Sequence, residues 1–211
     1  VYVSGISLTD GRLGILALSN TGVVLTTFGN NGLTTINDTS VAIGTAISLD
    51  NSDRFIVAGH AILSGEYQPI IARFLNNGNV DTTFGTNGSL RIDLVDNIDD
   101  EELFVKNISI FSDNKILVAG NVDAPEDATP TGTYQSNEFL IKTNSNGTLD
   151  ANFSNDGYEV YYALTASGGG FNATYILPNN KTLVSYSDSN NNLIRLNVDG
   201  TIDTSFGTGG M

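Results

Sequence analysis

The sequence has no cysteine and no tryptophan, a single histidine, four prolines, and nine basic residues against twenty-three acidic ones. Without cysteine there can be no disulfide, no thiolate metal site and no cysteine nucleophile. His60, the sole histidine, cannot build a multi-histidine metal site. It reads as a scaffold residue, because no serine sits in a nucleophile-elbow pattern that would call for a catalytic base. The formal net charge of −14 repels phosphate backbones and anionic lipid, so neither nucleic acid nor an acidic membrane is an expected partner. No apolar run approaches the ~20 residues of a bilayer span, and no membrane insertion is expected. The opening VYVSGISLTD lacks a basic leader region and an initiator methionine, and reads as a start within a strand, as in a mature or excised fragment. The GGG run at 168–170 precedes a strand-like stretch instead of opening a helix, which removes the usual nucleotide cradle.

What is plentiful points elsewhere. Glycine is frequent, and β-branched and aromatic residues are too common for a disordered chain; the mixture suits short strands joined by tight turns. Four segments align without gaps: SNTGVVLTTFGNNG (19–32), LNNGNVDTTFGTNG (75–88), NSNGTLDANFSNDG (144–157) and NVDGTIDTSFGTGG (197–210). In each, a glycine is followed by a phenylalanine and then a second glycine: Gly22, Phe28 and Gly32; Gly78, Phe84 and Gly88; Gly147, Phe153 and Gly157; Gly200, Phe206 and Gly210. The phenylalanines fall 56, 69 and 53 residues apart. Such a period marks a repeat architecture.

The flanks repeat too. Strand-like stretches precede each motif at 13–18, 69–74, 138–142 and 192–196, and before those at 1–8, 54–62, 115–122 and 182–187. Turn residues at 50–53, 112–114 and 178–180 separate the latter from further candidates at 41–49, 105–111 and 171–177. A last set follows the first three motifs at 33–36, 89–95 and 158–164. Each period thus holds four short antiparallel strands, the content of a β-propeller blade. The expected fold is an all-β, β-propeller-like tandem array forming an incomplete ring of about three and a half blades, with an open solenoid as the alternative. The whole chain, 1–211, reads as one repeat domain with units 1–32 (a half blade), 33–88, 89–157 and 158–210. Either a larger ring or a neighbouring chain would supply the remainder. The long third period comes from 123–137, DAPEDATPTGTYQSN, which reads as an inserted loop and the natural place for specificity.

Within the motif, the first glycine supplies a positive φ. Asp81, Asp150 and Asp203 are placed to close Asx turns onto the backbone just downstream. The phenylalanine, the one large apolar residue of a polar loop, is expected to be buried between blades.

The motif resembles the delta-60 repeat family, whose pattern is close to N-x-D-G-x-h-D-x-x-F-G-x-x-G with h apolar. Asn197, Asp199, Gly200, Ile202, Asp203, Phe206, Gly207 and Gly210 match it throughout, while Leu25 and Ser154 depart from it. The resemblance implies a propeller-like repeat of large bacterial exported proteins, and brings no catalytic signature with it.

Two acidic features invite a cation. Asp199 and Asp203 fall in a stretch resembling the start of a calcium loop, although no glutamate stands at its twelfth place. Asp99 and Glu101 lie in an acidic cluster at 96–102 that could also supply the carboxylates of a glycosidase. The favoured reading is an Asx turn for the first and a solvated loop for the second, with no cofactor and calcium as the alternative. The expected function is a noncatalytic binding or structural module, extracellular or at the cell surface, with a protein or glycan partner. Alternatives are a carbohydrate-binding or carbohydrate-active propeller and a self-associating subunit of an extracellular fibre or surface layer.

Overall fold

The computed structural model describes residues 1–7, 10–36, 41–63, 65–94, 103–124, 135–161, 170–187 and 191–211. Among them are fourteen strands and no helix. They are β1 (Tyr2–Ile6), β2 (Leu13–Ala17), β3 (Leu33–Thr35), β4 (Val41–Leu49), β5 (Phe55–Leu63), β6 (Glu66–Phe74), β7 (Ser89–Arg91), β8 (Leu103–Ile110), β9 (Ile116–Ala124), β10 (Gln135–Thr143), β11 (Tyr158–Tyr161), β12 (Phe171–Ile176), β13 (Thr182–Ser187) and β14 (Asn191–Leu196). All neighbouring pairs are antiparallel, in four sheets ordered β1-β2-β3, β4-β5-β6-β7, β8-β9-β10-β11 and β12-β13-β14. Every strand expected from the sequence is present, and among the described residues the fold is all-β, with the sheets of an incomplete propeller.

The sheets run out of phase with the sequence periods by one strand. The strand after a motif pairs backward, β7 onto β6 and β11 onto β10, so it closes the sheet that precedes the motif. The cause is local. The motif loop returns the chain to its starting strand, with Arg73 N–H bonded to Gly88 O at 3.0 Å and Lys142 N–H to Gly157 O at 2.8 Å.

The second strands of the two four-stranded sheets are mostly apolar on both faces and are buried accordingly: residues 55–61 of β5 and 116–122 of β9 are buried without interruption, whereas β13 alternates. The hairpin turns between first and second strands need left-handed backbone, and Asp53, Asn114 and Asn180 adopt φ of 57°, 63° and 61° there. Each first strand of the last three sheets carries a β-bulge at the same place, at 44–46, 105–107 and 171–173, which the alternation of residue types did not announce.

The chain divides into two compact units. The first comprises Val1–Asp96 with Ser145–Thr148; the second comprises Asn97–Asn144 and Leu149–Met211. The core of the first draws on Leu13, Ile15, Phe28, Phe55, Val57 and Phe74, that of the second on Phe111, Leu117, Leu140, Phe153, Phe171 and Ile194. His60 is buried in β5 with its ring 5.3 Å from that of Tyr67.

Candidate functional site: a carboxylate and cation cluster repeated in three copies

Each motif hangs from one residue at the end of the strand before it. That residue, Ala17, Arg73, Lys142 or Arg195, accepts a hydrogen bond at its carbonyl from the residue eight positions on: Leu25, Asp81, Asp150 or Asp203, at 2.9, 2.9, 2.9 and 2.8 Å. Its own N–H is taken by the last motif glycine, as in Ala17 to Gly32 O at 2.9 Å and Arg195 to Gly210 O at 3.1 Å. The loop is therefore a closed backbone ring whatever side chains it carries. The side chains then decide what fills it.

In three copies they are an aspartate and a cation. Asp81, Asp150 and Asp203 are only 6%, 2% and 5% exposed. In each, Oδ1 accepts the N–H two residues on, from Thr83 at 3.1 Å, Asn152 at 3.3 Å and Ser205 at 3.2 Å. That is an Asx turn. Oδ2 faces two cations. For Asp81 these are Arg73 Nε at 2.8 Å and Arg54 Nη1 at 3.8 Å. Asp150 has Lys115 Nζ at 2.8 Å and Lys142 Nζ at 3.6 Å, and Asp203 has Lys181 Nζ and Arg195 Nε, both at 2.6 Å. Arg54, Lys115 and Lys181 each stand immediately before an inner strand. Six of the chain's nine basic residues are consumed in these three clusters.

The same cations lie over the motif phenylalanines. Arg73 is 4.7 Å from the Phe84 ring centre, Lys142 is 5.7 Å from Phe153, and Arg195 is 4.8 Å from Phe206. The first copy lacks both charges. Ala17 and Leu25 occupy the paired positions, and the cross-strand partner of Ala17, Tyr2, packs 5.4 Å from Phe28 in place of a cation.

Consecutive motifs are joined by two contacts at every joint and by a third at the last two. The first motif glycine of one copy lies on the phenylalanine of the copy before it: a Cβ on Gly78, Gly147 or Gly200 would come within 2.8–2.9 Å of Phe28, Phe84 or Phe153 respectively. These glycines also have φ of 90°, 83° and 89°, so both space and backbone demand glycine. The residue before each accepts a backbone hydrogen bond: Asn77 O from Gly29 at 2.8 Å, Asn146 O from Gly85 at 2.8 Å and Asp199 O from Ser154 at 2.9 Å. Finally, Arg73 Nη1 donates to Ser145 O, and Lys142 Nζ to Val198 O at 3.2 Å. Phe28, Phe84 and Phe153 are buried; Phe206, with no motif against it among the described residues, is half-buried. Ser154, which departs from the usual glycine, keeps the left-handed φ of 54° and donates from its hydroxyl to Glu159.

The electrostatics follow from this geometry. Burial pushes the Asp81 carboxyl up, but the Thr83 hydrogen bonds and the Arg73 charge outweigh it, and the net direction is down. Asp150 is lowered in the same way, with Lys115 and Asn152 overcoming burial. For Asp203 the Lys181 and Ser205 hydrogen bonds dominate and hold the carboxyl far below its ordinary range. Burial lowers the Lys142 ammonium, against the opposing pull of Asp150.

All three aspartates thus titrate below their unfolded value of 3.8. Their contribution is complete above that value and is lost as pH falls through the folded values. The urea midpoint should therefore drop between about pH 4 and about pH 2, while hardly moving between about pH 5 and about pH 8. A flat profile through the acid range, followed by circular dichroism, would show that the carboxylates carry no stability.

The other acidic candidates are placed as follows. Asp199 is exposed, and its Oδ1 accepts from Thr201 N at 3.1 Å and Thr201 Oγ1 at 2.7 Å. Asp203 faces two cations already, so a calcium ion there would meet like charge. Asp99 and Glu101, with the rest of the cluster at 96–102, lie outside the described residues, as does most of the 123–137 insertion. Among the described residues no group of three or more histidine, aspartate or glutamate side chains is placed to hold a metal.

The six clustered cations escape a reading of the motif alone. One of each pair lies eight residues before its aspartate and the other 22 to 35 residues before it, and only the fold brings them together. A signal was nevertheless present: the copy without the aspartate, at Leu25, is also the one without the cation, at Ala17.

Residues 48–84 and 177–206 match a family model described as a β-propeller domain of unknown function (DUF5122). Each matched stretch holds one whole cluster, Asp81 with Arg54 and Arg73 in the first and Asp203 with Lys181 and Arg195 in the second. No curated protein matches the chain. The repeats are of propeller type, and two stretches of the chain are similar to a β-propeller domain of unknown function.

Proposed function

We propose that the chain is a noncatalytic scaffold of an exported bacterial surface protein, built of delta-60-like repeats that hold variable loops out to a protein or glycan partner. One observation carries this reading. Among the described residues, the cluster of a buried aspartate with two cations occurs three times in nearly the same form, once per complete motif, and each occurrence is spent on joining strands and turns. A catalytic centre needs one constellation that differs from its surroundings, whereas a repeated one serves the repeat. The formal net charge of −14 accords with a well-solvated display domain.

What distinguishes one repeat from the next is the insertion at 123–137, and recognition is assigned to it. The test is to replace residues 125–134 by a short Asn-Gly linker and to measure binding to immobilised polysaccharides and to whole bacterial cells. The expected result is loss of binding with an unchanged melting temperature. Turnover of chromogenic glycosides by the intact chain, or binding indifferent to the exchange, would overturn the proposal.

A further inference from the structure

The third joint is built differently from the first two. In each, the residue after the motif phenylalanine donates its N–H to the next turn, but that residue is Gly29, Gly85 and then Ser154. Five positions on, in the strand that follows the motif, stand Thr34, Leu90 and Glu159. At that place only the third joint has a carboxylate, and the serine reaches it. Ser154 donates from its hydroxyl to Glu159 Oε2, while its N–H goes to Asp199 O at 2.9 Å. One residue is thus held by the next turn through its backbone and by Glu159 through its side chain. Tyr161, two residues along β11 from Glu159 and so on the same face, donates its hydroxyl to the following carbonyl, Gly200 O, at 2.8 Å.

The charges around Glu159 set it apart from the motif aspartates. Asp81, Asp150 and Asp203 each face two cations, whereas among the described residues no lysine or arginine pairs with Glu159. Opposite it on β10 stands Leu140, with Glu138 opposite Tyr161. Lys142, farther along β10, is engaged with Asp150 and with Val198 O. In its own segment the acid at Asp156 accepts the Tyr158 N–H at 3.2 Å, and in the fourth turn Asp199 is held by Thr201. Glu159 is half-buried. Burial and the Asp156 charge both push its carboxyl up from the ordinary value of 4.5.

We infer that the third joint is pH-responsive, opening more readily when Glu159 is ionised than when it is protonated, and that the first and second joints lack this response. An ionised Glu159 is drawn toward water and away from Asp156, and the hydroxyl bond makes Ser154 follow it. The sign is opposite to that of the motif aspartates. A carboxyl raised on folding contributes fully below 4.5, and its contribution is lost as pH rises through the folded value. Thr34 and Leu90 have no proton to exchange in this range.

The test is amide exchange of the full chain between about pH 4.5 and about pH 8, reading the protection of Ser154 relative to that of Gly85, the equivalent amide beside Leu90. In the wild type this ratio should fall about three- to fivefold as pH rises. An effect of that size at one joint leaves the urea midpoint of the whole chain nearly level above about pH 5. In Glu159→Gln, which still accepts the Ser154 hydroxyl but carries no charge, the ratio should stay level at the acid value. Asp156→Asn, which keeps an acceptor for the Tyr158 N–H, should shrink the response without abolishing it; circular dichroism checks that both variants fold. A flat wild-type ratio overturns the inference, because the Ser154 bond to the ionised carboxylate would then offset burial and Asp156. So does a Glu159→Gln variant whose ratio tracks the wild type. Binding by the 123–137 insertion plays no part in this readout, so the joint and the proposed recognition role fail separately.

Discussion

Asp81→Leu is expected to destabilise the chain by about 3–5 kcal/mol, although leucine is what the first motif carries at the same place. Arg73 is the reason. Its side chain is 4% exposed, and without Asp81 its guanidinium keeps a carbonyl, a hydroxyl and the Phe84 ring but loses the carboxylate bonded to it. Arg54 is less affected, since it keeps Asp50 at 2.7 Å. If Arg73→Ala is added, the pair becomes the one that nature uses in the first copy, Ala17 with Leu25. The double variant should recover most of the loss and end within about 1–2 kcal/mol of the wild type, because no buried charge then lacks a partner. A double-mutant cycle by urea denaturation measures this directly. Simple additivity of the two substitutions would mean that aspartate and arginine do not act as a unit.

Phe84→Ala should cost about 3–5 kcal/mol, and Phe206→Ala no more than about 1–2 kcal/mol, though the two residues stand at the same motif position. Phe84 is fully buried, with Arg73 on one side and Gly147 on another; Phe206 has the arginine but, among the described residues, no turn against it. The glycines should follow the same rule. At Gly147 a methyl would come within 2.6 Å of the Gly85 nitrogen, whereas at Gly22 it meets nothing. Both substitutions carry the strain of an alanine at positive φ, about 1 kcal/mol, but only Gly147→Ala must also push two turns apart. Equal losses at the two phenylalanines, read from urea midpoints, would show that the motif-to-motif contact carries no stability.

Much of this architecture was legible before any coordinates. Alternation, turn chemistry and the repeat located all fourteen strands, because they are short, most are bounded by turns rich in Asn, Asp or Gly, and they recur in register with the motif. The phase of the sheets was not legible. A period shows that a pattern recurs and is silent on which strand closes which sheet. That is decided by a backbone loop in which Arg73 and Gly88 bond to each other, a contact spanning fifteen residues of polar sequence. The bulges at 44–46, 105–107 and 171–173 were hidden for a similar reason, since an extra residue in a strand leaves the local composition unchanged.

The site divides in the same way. The Asx turns of Asp81, Asp150 and Asp203 are local, and a residue two positions on supplies the donor, so the motif could suggest them. The cations reach Oδ2 from two other strand ends, and no local pattern encodes that meeting. Ser154 reads as a defect in the motif, yet the structure gives it a partner, Glu159, in the strand that follows.

The central claim is that consecutive motifs are joined by one repeated contact and that this contact holds the repeats together. Amide hydrogen exchange tests it most directly, because each joint contains one backbone N–H donated across it. In dilute solution at neutral pH the Gly29, Gly85 and Ser154 amides should be protected by at least about a hundredfold. Exchange of all three at nearly the rate of an unfolded chain would contradict this, since the joints would then be open in solution.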